Sequence, residues 1–310
     1  MAHLGRRNVR TYLAASFAAL LFAAPPALAK QATFASPVEA TDALVAAVRT
    51  GDLKAILDIL GPDGADIASS GDAVADANAR ERFLKAFNET HEIRKTSDGS
   101  NVLYIGNENF PFPLPLVAED GKWRFDTAAG AEEILDRRIG ENELAAIEVL
   151  RVYADAQREY AEVDHDGKGP QYARSLVSRE GQQDGLYWPT AEGQPESPLG
   201  PLVAEAREEG YGGGKTGAAP YHGYFFRVLT AQGPNAAGGA RDYIAGGRMI
   251  GGFAMIATPA DYGNSGVKSF IVNQDGKVFE KDLGEETANV AALIKAFNPD
   301  SGWSPVAVTP

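Results

Sequence analysis

The chain has 310 residues, of which 44% are hydrophobic, so it is too apolar for a disordered chain and long enough for one large domain or two ordinary ones. It contains no cysteine, which excludes disulfides, thiolate catalysis, cysteine zinc sites and a lipoprotein anchor together. A formal charge of −13 opposes binding to DNA, RNA or anionic lipid.

The N-terminal stretch MAHLGRRNVRTYLAASFAALLFAAPPALA joins a positive segment (Arg6, Arg7, Arg10) to an apolar run that starts at Tyr12 and to the small residues of Ala27-Leu28-Ala29. This pattern predicts a secretory signal over residues 1–29, cut after Ala29, and a periplasmic or secreted protein. The run is shorter than the ~20 apolar residues a spanning helix needs, so the mature chain is not expected to span a membrane. Losing the three signal arginines takes the formal charge from −13 to −16.

Residues 30–35 read as a flexible lead, and 36–138 as a first α+β domain. Ala40, Leu44, Ala47 and Val48 share one helical face. Gly51 breaks that helix, and Asp52 is placed to cap a second one through Leu60. ADANARERFLKAFNETHEI reads as a third helix, turning Phe83, Leu84 and Phe87 inward. NVLYIG, PLPLVAED and KWRFDTA read as short strands, the last two joined by a hairpin turn at Asp120-Gly121. Helices that open with LVAAVRTGDLKAILDIL and lead into a small sheet resemble the α+β cone of nuclear-transport-factor-2-like proteins. That resemblance implies a curled antiparallel sheet around a ligand pocket that Phe110, Trp123 and Phe125 would line; the same residues also suit a plain core.

Residues 139–298 read as a second domain, followed by a tail at 299–310. Gly140 is expected to end a short helix, and a longer one to run over residues 141–162. Its buried stripe would be Leu144, Ile147, Leu150, Tyr153, Ala154 and Ala161, widened by Ala146, Val149 and Tyr160. Residues 178–219 are rich in Gly and Pro, with a short helix expected over 201–209. Strands follow at HGYFFRVLTAQG, GGFAMIATPA, VKSFIVNQ and KVFEKDL, the last pair joined by a type I′ turn at Asp275-Gly276, then a helix over residues 285–297.

Long helix, variable loop, then antiparallel sheet resembles the globular region of type IV pilin-like proteins and pseudopilins, over residues 141–283. The resemblance lacks the apolar helix half through which pilins polymerise. Nearly the whole mature chain resembles a bacterial exported family, the domain of unknown function 2950 group. NFPFPLPLV, WRFDTAAGAEEILDRRIGENELAAI, DGLYWPT, SPLGPLVAEAREEGYGGG, YHGYFFR and GFAMIATPADYGNSGV carry it. It implies export and a two-part layout, and no activity.

Glu162, Asp164 and Asp166 form E-x-D-x-D-G after the long helix, an arrangement that offers hard oxygens to calcium or simply ends the helix in solvent. The twelfth position of an EF-hand loop would be a glutamate, and Ala173 stands there. The histidines form no H-E-x-x-H frame, and GNSGV around Ser265 falls one residue short of a nucleophile elbow. Tyr187, Trp188, Tyr211, Tyr221 and His222 could form a binding surface for a glycan or peptide, or pin the long loop to the sheet. The chain therefore reads as a non-catalytic binding or assembly factor of the envelope, acting on an envelope protein or glycan. The alternative is an exported hydrolase with its site in the cleft between the two domains. Mass spectrometry of protein recovered from the envelope is expected to find Lys30 as its first residue; an intact N-terminus would refute the cut.

Overall fold

The computed structural model describes residues 31–191, 193–211 and 219–307. The predicted signal and its cut after Ala29 lie outside these residues. The architecture is α+β: helices with a small antiparallel sheet, one long helix, then a larger antiparallel sheet.

The first layer contains α1 (Pro37–Thr50), α2 (Leu53–Leu60), a 3₁₀ turn (Pro62–Gly64), α3 (Ala65–Ala68) and α4 (Ala73–Glu89). Ser36 accepts the Glu39 amide to start α1, and Gly51 ends it at φ 66°. Asp52 accepts the Ala55 amide to start α2. Expected as helix throughout, the third segment instead leaves α4 at Thr90, whose extended backbone (φ −161°, ψ 149°) directs His91–Lys95 into strand β1. His91 then stacks on Phe87.

β2 (Asn101–Ile105), β3 (Phe110–Pro111), β4 (Leu116–Glu119) and β5 (Lys122–Phe125) complete this sheet, in the order β1-β2-β4-β5 with β3 on β2. Asp120 and Gly121 both have positive φ (52° and 75°), as a two-residue hairpin loop requires. Phe125 belongs to the core with Leu114 and Leu116, and Trp123 packs against the same cluster. Phe110 stands exposed at the edge. Residues 31–34 are no free lead: Phe34 and Trp123 exchange backbone hydrogen bonds of 2.8 Å, and Gln31 Nε2 donates to the Ile59 and Phe125 carbonyls.

α5 (Thr127–Ala161) is one helix of 35 residues, so Gly140 does not divide it. Gly140 faces solvent with no neighbour near the missing Cβ, which leaves its low helix propensity as its sole local cost, and flanking packing outweighs that. The expected domain boundary at 138/139 thus lies inside a helix that serves both layers. Thr127 Oγ1 donates to the Leu60 carbonyl at one end; Tyr153 Oη donates to the Ala254 carbonyl toward the other. Leu144, expected in the buried stripe, is 69% exposed. Ile147, Leu150, Tyr153 and Ala154 of that stripe are buried as expected, with Ala146 and Tyr160 beside them, and Gln157 joins this face.

After α5 come α6 (Gly200–Glu208), β6 (Tyr224–Leu229), and the short pieces β7 (Ala231–Gln232), β8 (Arg241–Asp242), β9 (Ile244–Ala245) and β10 (Arg248–Met249). β11 (Ala254–Pro259), β12 (Lys268–Asn273), β13 (Phe279–Asp282), α7 (Thr287–Leu293) and β14 (Ser304–Pro305) follow. The sheet order is β14-β13-β12-β11-β6, all antiparallel, so residues 304–305 of the expected tail pair as an edge strand. α5 packs on β12 and β11, and α7 packs on β11. Met255, Ile256, Phe270, Ile271 and Val272 are consequently buried on both faces of the sheet. Arg227 holds the end of α7 by donating to the Ala291 and Ile294 carbonyls.

The Asp275-Gly276 turn is not type I′, because Gly276 has positive φ (73°) and Asp275 does not. Asn273 Oδ1 accepts the Asp275 amide and the Asn273 carbonyl accepts the Gly276 amide, an Asx-type arrangement that widens the loop. Pairing of β12 with β13 resumes at Ile271 and Phe279.

Two glycines of α5 have opposite roles. A Cβ at Gly130 would stand 2.2 Å from the Pro113 carbonyl oxygen, whereas one at Gly140 meets nothing. Gly140→Ala is expected to stabilise the protein by roughly 0.5–1 kcal/mol, and Gly130→Ala to destabilise it by roughly 1–3 kcal/mol. Denaturant melts of both variants measure this; a destabilised Gly140→Ala would mean the helix needs a hinge there.

Candidate functional site

Asp72 precedes α4 and is buried. One carboxylate oxygen accepts the Val74 and Ala75 amides, each at 3.1 Å, as a helix cap. The other accepts Tyr211 Oη at 2.9 Å and the Gly223 amide at 3.0 Å. All four donors are uncharged, so hydrogen bonds rather than an ion pair satisfy this buried acid. The contact ties the first layer to residues on either side of 212–218.

The chain leaves this contact through two successive left-handed residues, His222 (φ 47°) and Gly223 (φ 71°). Gly223 is required there: a Cβ would lie 2.5 Å from Asn142 Nδ2. Tyr211, Tyr221 and His222 pack their rings together, with centroids 4.2–5.6 Å apart. Burial, reinforced by the charge of Asp72, raises the pKa of the Tyr211 phenol; burial and the carboxylates of Glu209 and Glu205 raise that of Tyr221. Glu209 Oε2 lies 3.1 Å from His222 Nε2.

Next to this contact the GNSGV loop is tied into the fold by side-chain hydrogen bonds. Asn142 Nδ2 donates to the Ser265 carbonyl at 2.9 Å. Asn264 Nδ2 donates to the Ser69 carbonyl and to Asp261 Oδ2, and its Oδ1 accepts from Arg138. Ser265 is fully buried, its hydroxyl bonded to the main chain of Asp261.

Beside the ring cluster is a cavity of about 540 Å³, within the ~300–1,000 Å³ range of ligand pockets. Val149 and Tyr153 of α5, Leu202 and Ala206 of α6, Phe226 of β6 and Met255 of β11 form much of its wall. Tyr187, Tyr211 and Tyr221 complete it, so three of the five aromatic positions singled out in the sequence converge here. His222 does not line it; its ring packs on those of Tyr211 and Tyr221. Trp188 does not line it: that indole packs on Tyr160 and His165 instead. The aliphatic walls carried no sequence signal beyond helical and strand periodicity.

The carboxylate turn is spent internally. Asp164 accepts the backbone amides of Asp166, Lys168 and Gly169, and the Gly169 bond is the largest influence holding its carboxyl below the usual range. Asp166 accepts the Lys168 amide and lies 3.3 Å from Arg248 Nε; Glu162 caps α5. Among the described residues, no group of three or more His, Cys, Asp or Glu side chains stands where it could hold a metal ion. Nor is any helix among them long and apolar enough to cross a membrane.

The model of one protein family, described as "Protein of unknown function (DUF2950)", matches residues 31–306. The chain belongs to this family. Searches of the curated proteins and of the solved structures find no match, and the cone-like and pilin-like resemblances gain no support from them.

Removing the Asp72 carboxylate strips a helix cap and leaves buried donors on Tyr211 and Gly223 without an acceptor. Asp72→Ala is expected to cost roughly 2–4 kcal/mol in a denaturant melt, and Asp72→Asn less, because Asn still caps α4. A near-neutral Asp72→Ala would show that the two layers do not depend on this contact.

Proposed function

We propose that the protein is an exported, non-catalytic binding factor of the bacterial envelope that holds an apolar ligand between α5, α6 and β6. The observation that carries this reading is the cavity of about 540 Å³ in which Tyr187, Tyr211 and Tyr221 meet aliphatic walls. Apolar walls supply the affinity, and phenol groups at the rim supply orientation. Arg207 lies over the Tyr187 ring and holds it in place. Arg207 is the charged side chain of the lining, and the carboxylates of Glu205 and Glu209 near the Tyr221 phenol offset it, so the cavity favours a neutral, apolar ligand. The signal-like N-terminus supports export. The buried, main-chain-bonded hydroxyl of Ser265 favours binding over hydrolysis at that loop.

Titration with the neutral fluorophore N-phenyl-1-naphthylamine tests the reading. Saturable enhancement is expected from the wild type. Ala206→Trp, which fills the cavity from α6, is expected to weaken it at least about tenfold, a loss of about 1.4 kcal/mol, with an unchanged melt. Tyr187→Ala is expected to weaken it less. No enhancement from the wild type, or equal binding by Ala206→Trp, would overturn the proposal.

A further inference from the structure

A second cavity, of about 360 Å³, opens between α1, α4 and the N-terminal part of α5. Its interior is apolar, with Leu44, Val48, Leu60, Phe83, Phe112 and Leu114. Its charged lining is Arg80, Arg82, Arg137 and Arg138, against the acids Asp76 and Glu141. On a chain with a formal charge of −13, this is a local reversal of sign.

Of these four cations, among the described residues, Arg137 alone is paired with an acid. Arg137 is paired with Glu133 and lies over the Phe110 ring. Asp76 turns its carboxylate to Ser69 and Ser70, accepting Ser70 Oγ at 2.7 Å and the Ser70 amide at 3.0 Å. Arg138 is half-buried, and its hydrogen bonds go to uncharged acceptors: the carbonyls of Asp66 and Ile67 and the side-chain oxygen of Asn264. Three of the five guanidinium donors are thereby used, which leaves two. Among the described residues, Arg80, Arg82 and Arg138 have no carboxylate within 4.0 Å. Burial disfavours the charge of Arg138, and Asp76 and Asp66 offset this only from a distance. A cation held at an apolar cavity without a counterion is costly unless an anion enters with it. Guanidinium groups also suit the planar or tetrahedral oxygens of carboxylate and phosphate.

We propose that this cavity is a second binding site, for an amphipathic anion whose aliphatic or aryl body fills the apolar interior and whose carboxylate or phosphate head sits on Arg138, Arg80 and Arg82. The site is independent of the neutral-ligand cavity beside α6. α4 separates them: Val74 lines the first cavity, and Ala75 and Asp76 line this one.

The test uses the full chain and three matched fluorophores: 11-(dansylamino)undecanoate, the phosphate monoester of its alcohol analogue, and that alcohol. At least one of the two anions is expected to bind about tenfold more tightly than the alcohol, and comparison of the two tells a carboxylate from a phosphate head. The Arg80→Gln/Arg82→Gln pair, on partly exposed positions that make no ion pair, is expected to remove most of that preference while keeping the wild-type melt. The comparison is made in the Ala206→Trp background, which closes the cavity that the neutral alcohol would also enter; there the two anions are expected to stay bound, and adding Val48→Trp is expected to block all three probes. Equal affinity for alcohol and anions in that background, an unchanged preference in the arginine pair, or loss of anion binding in Ala206→Trp would each overturn the proposal.

Discussion

Asp72 is buried where the two layers meet and accepts four hydrogen bonds, two from the start of its own helix and two from Tyr211 and Gly223 across the molecule. A buried carboxylate is tolerable when its lone pairs are filled, and here uncharged donors fill them. The same contact fixes several neighbours. Gly223 must approach Asn142 so closely that no side chain fits, and Asn142 in turn fixes the Ser265 carbonyl. Asn264 and Arg138 extend the network to Ser69, Asp66 and Ile67, so α3, α4, α5 and the 261–265 loop are held as one unit.

The continuous helix α5 supplies the long axis on which this network is mounted. At about 1.5 Å per residue its 35 residues extend about 52 Å, enough to serve both layers. Its first part lies under the Pro113–Leu114 chain, where Gly130 allows the backbones to touch. Its later part packs Ala146, Leu150, Tyr153 and Ala154 into the core of the larger sheet. The two cavities lie on either side of this arrangement, and the first turn of α4 contributes to the walls of both. A contact that positions α4 therefore bears on both cavities, which gives Asp72 a reach beyond its own hydrogen bonds.

Much of the secondary structure could be read locally because its causes are local. Asp52 caps α2, Gly51 ends α1 and Asp120-Gly121 makes a two-residue hairpin, each through groups within a few residues. Reading failed where distant groups decide. Gly140 has a poor helix propensity, yet packing at both ends carries α5 through it. Leu144 lies near the periodic stripe but meets no neighbouring layer, so it is exposed. Asp275-Gly276 is the exception with a local cause: Asn273, two residues before Asp275, accepts the Asp275 amide in place of the expected tight turn. Tyr187, Tyr211 and Tyr221 were visible as aromatic positions in a Gly- and Pro-rich stretch, whereas Val149, Leu202 and Met255 come from three separate elements and are joined only in space.

The sequence by itself determined the α+β class, the absence of cysteine chemistry, the acidic balance and the aromatic positions of the long loop, because composition, periodicity and short-range caps are properties of neighbouring residues. It also contained the carboxylates of Glu162, Asp164 and Asp166, but their partners were decided by the folded loop, which aims backbone amides and Arg248 at Asp164 and Asp166. The tertiary structure alone decided which side chains share a cavity, which arginines lack a counterion and which carboxylate joins the layers. Those outcomes depend on groups more than a hundred residues apart, such as Asp72 with Gly223 and Arg138 with Asn264, and no local pattern encodes a distance across the fold.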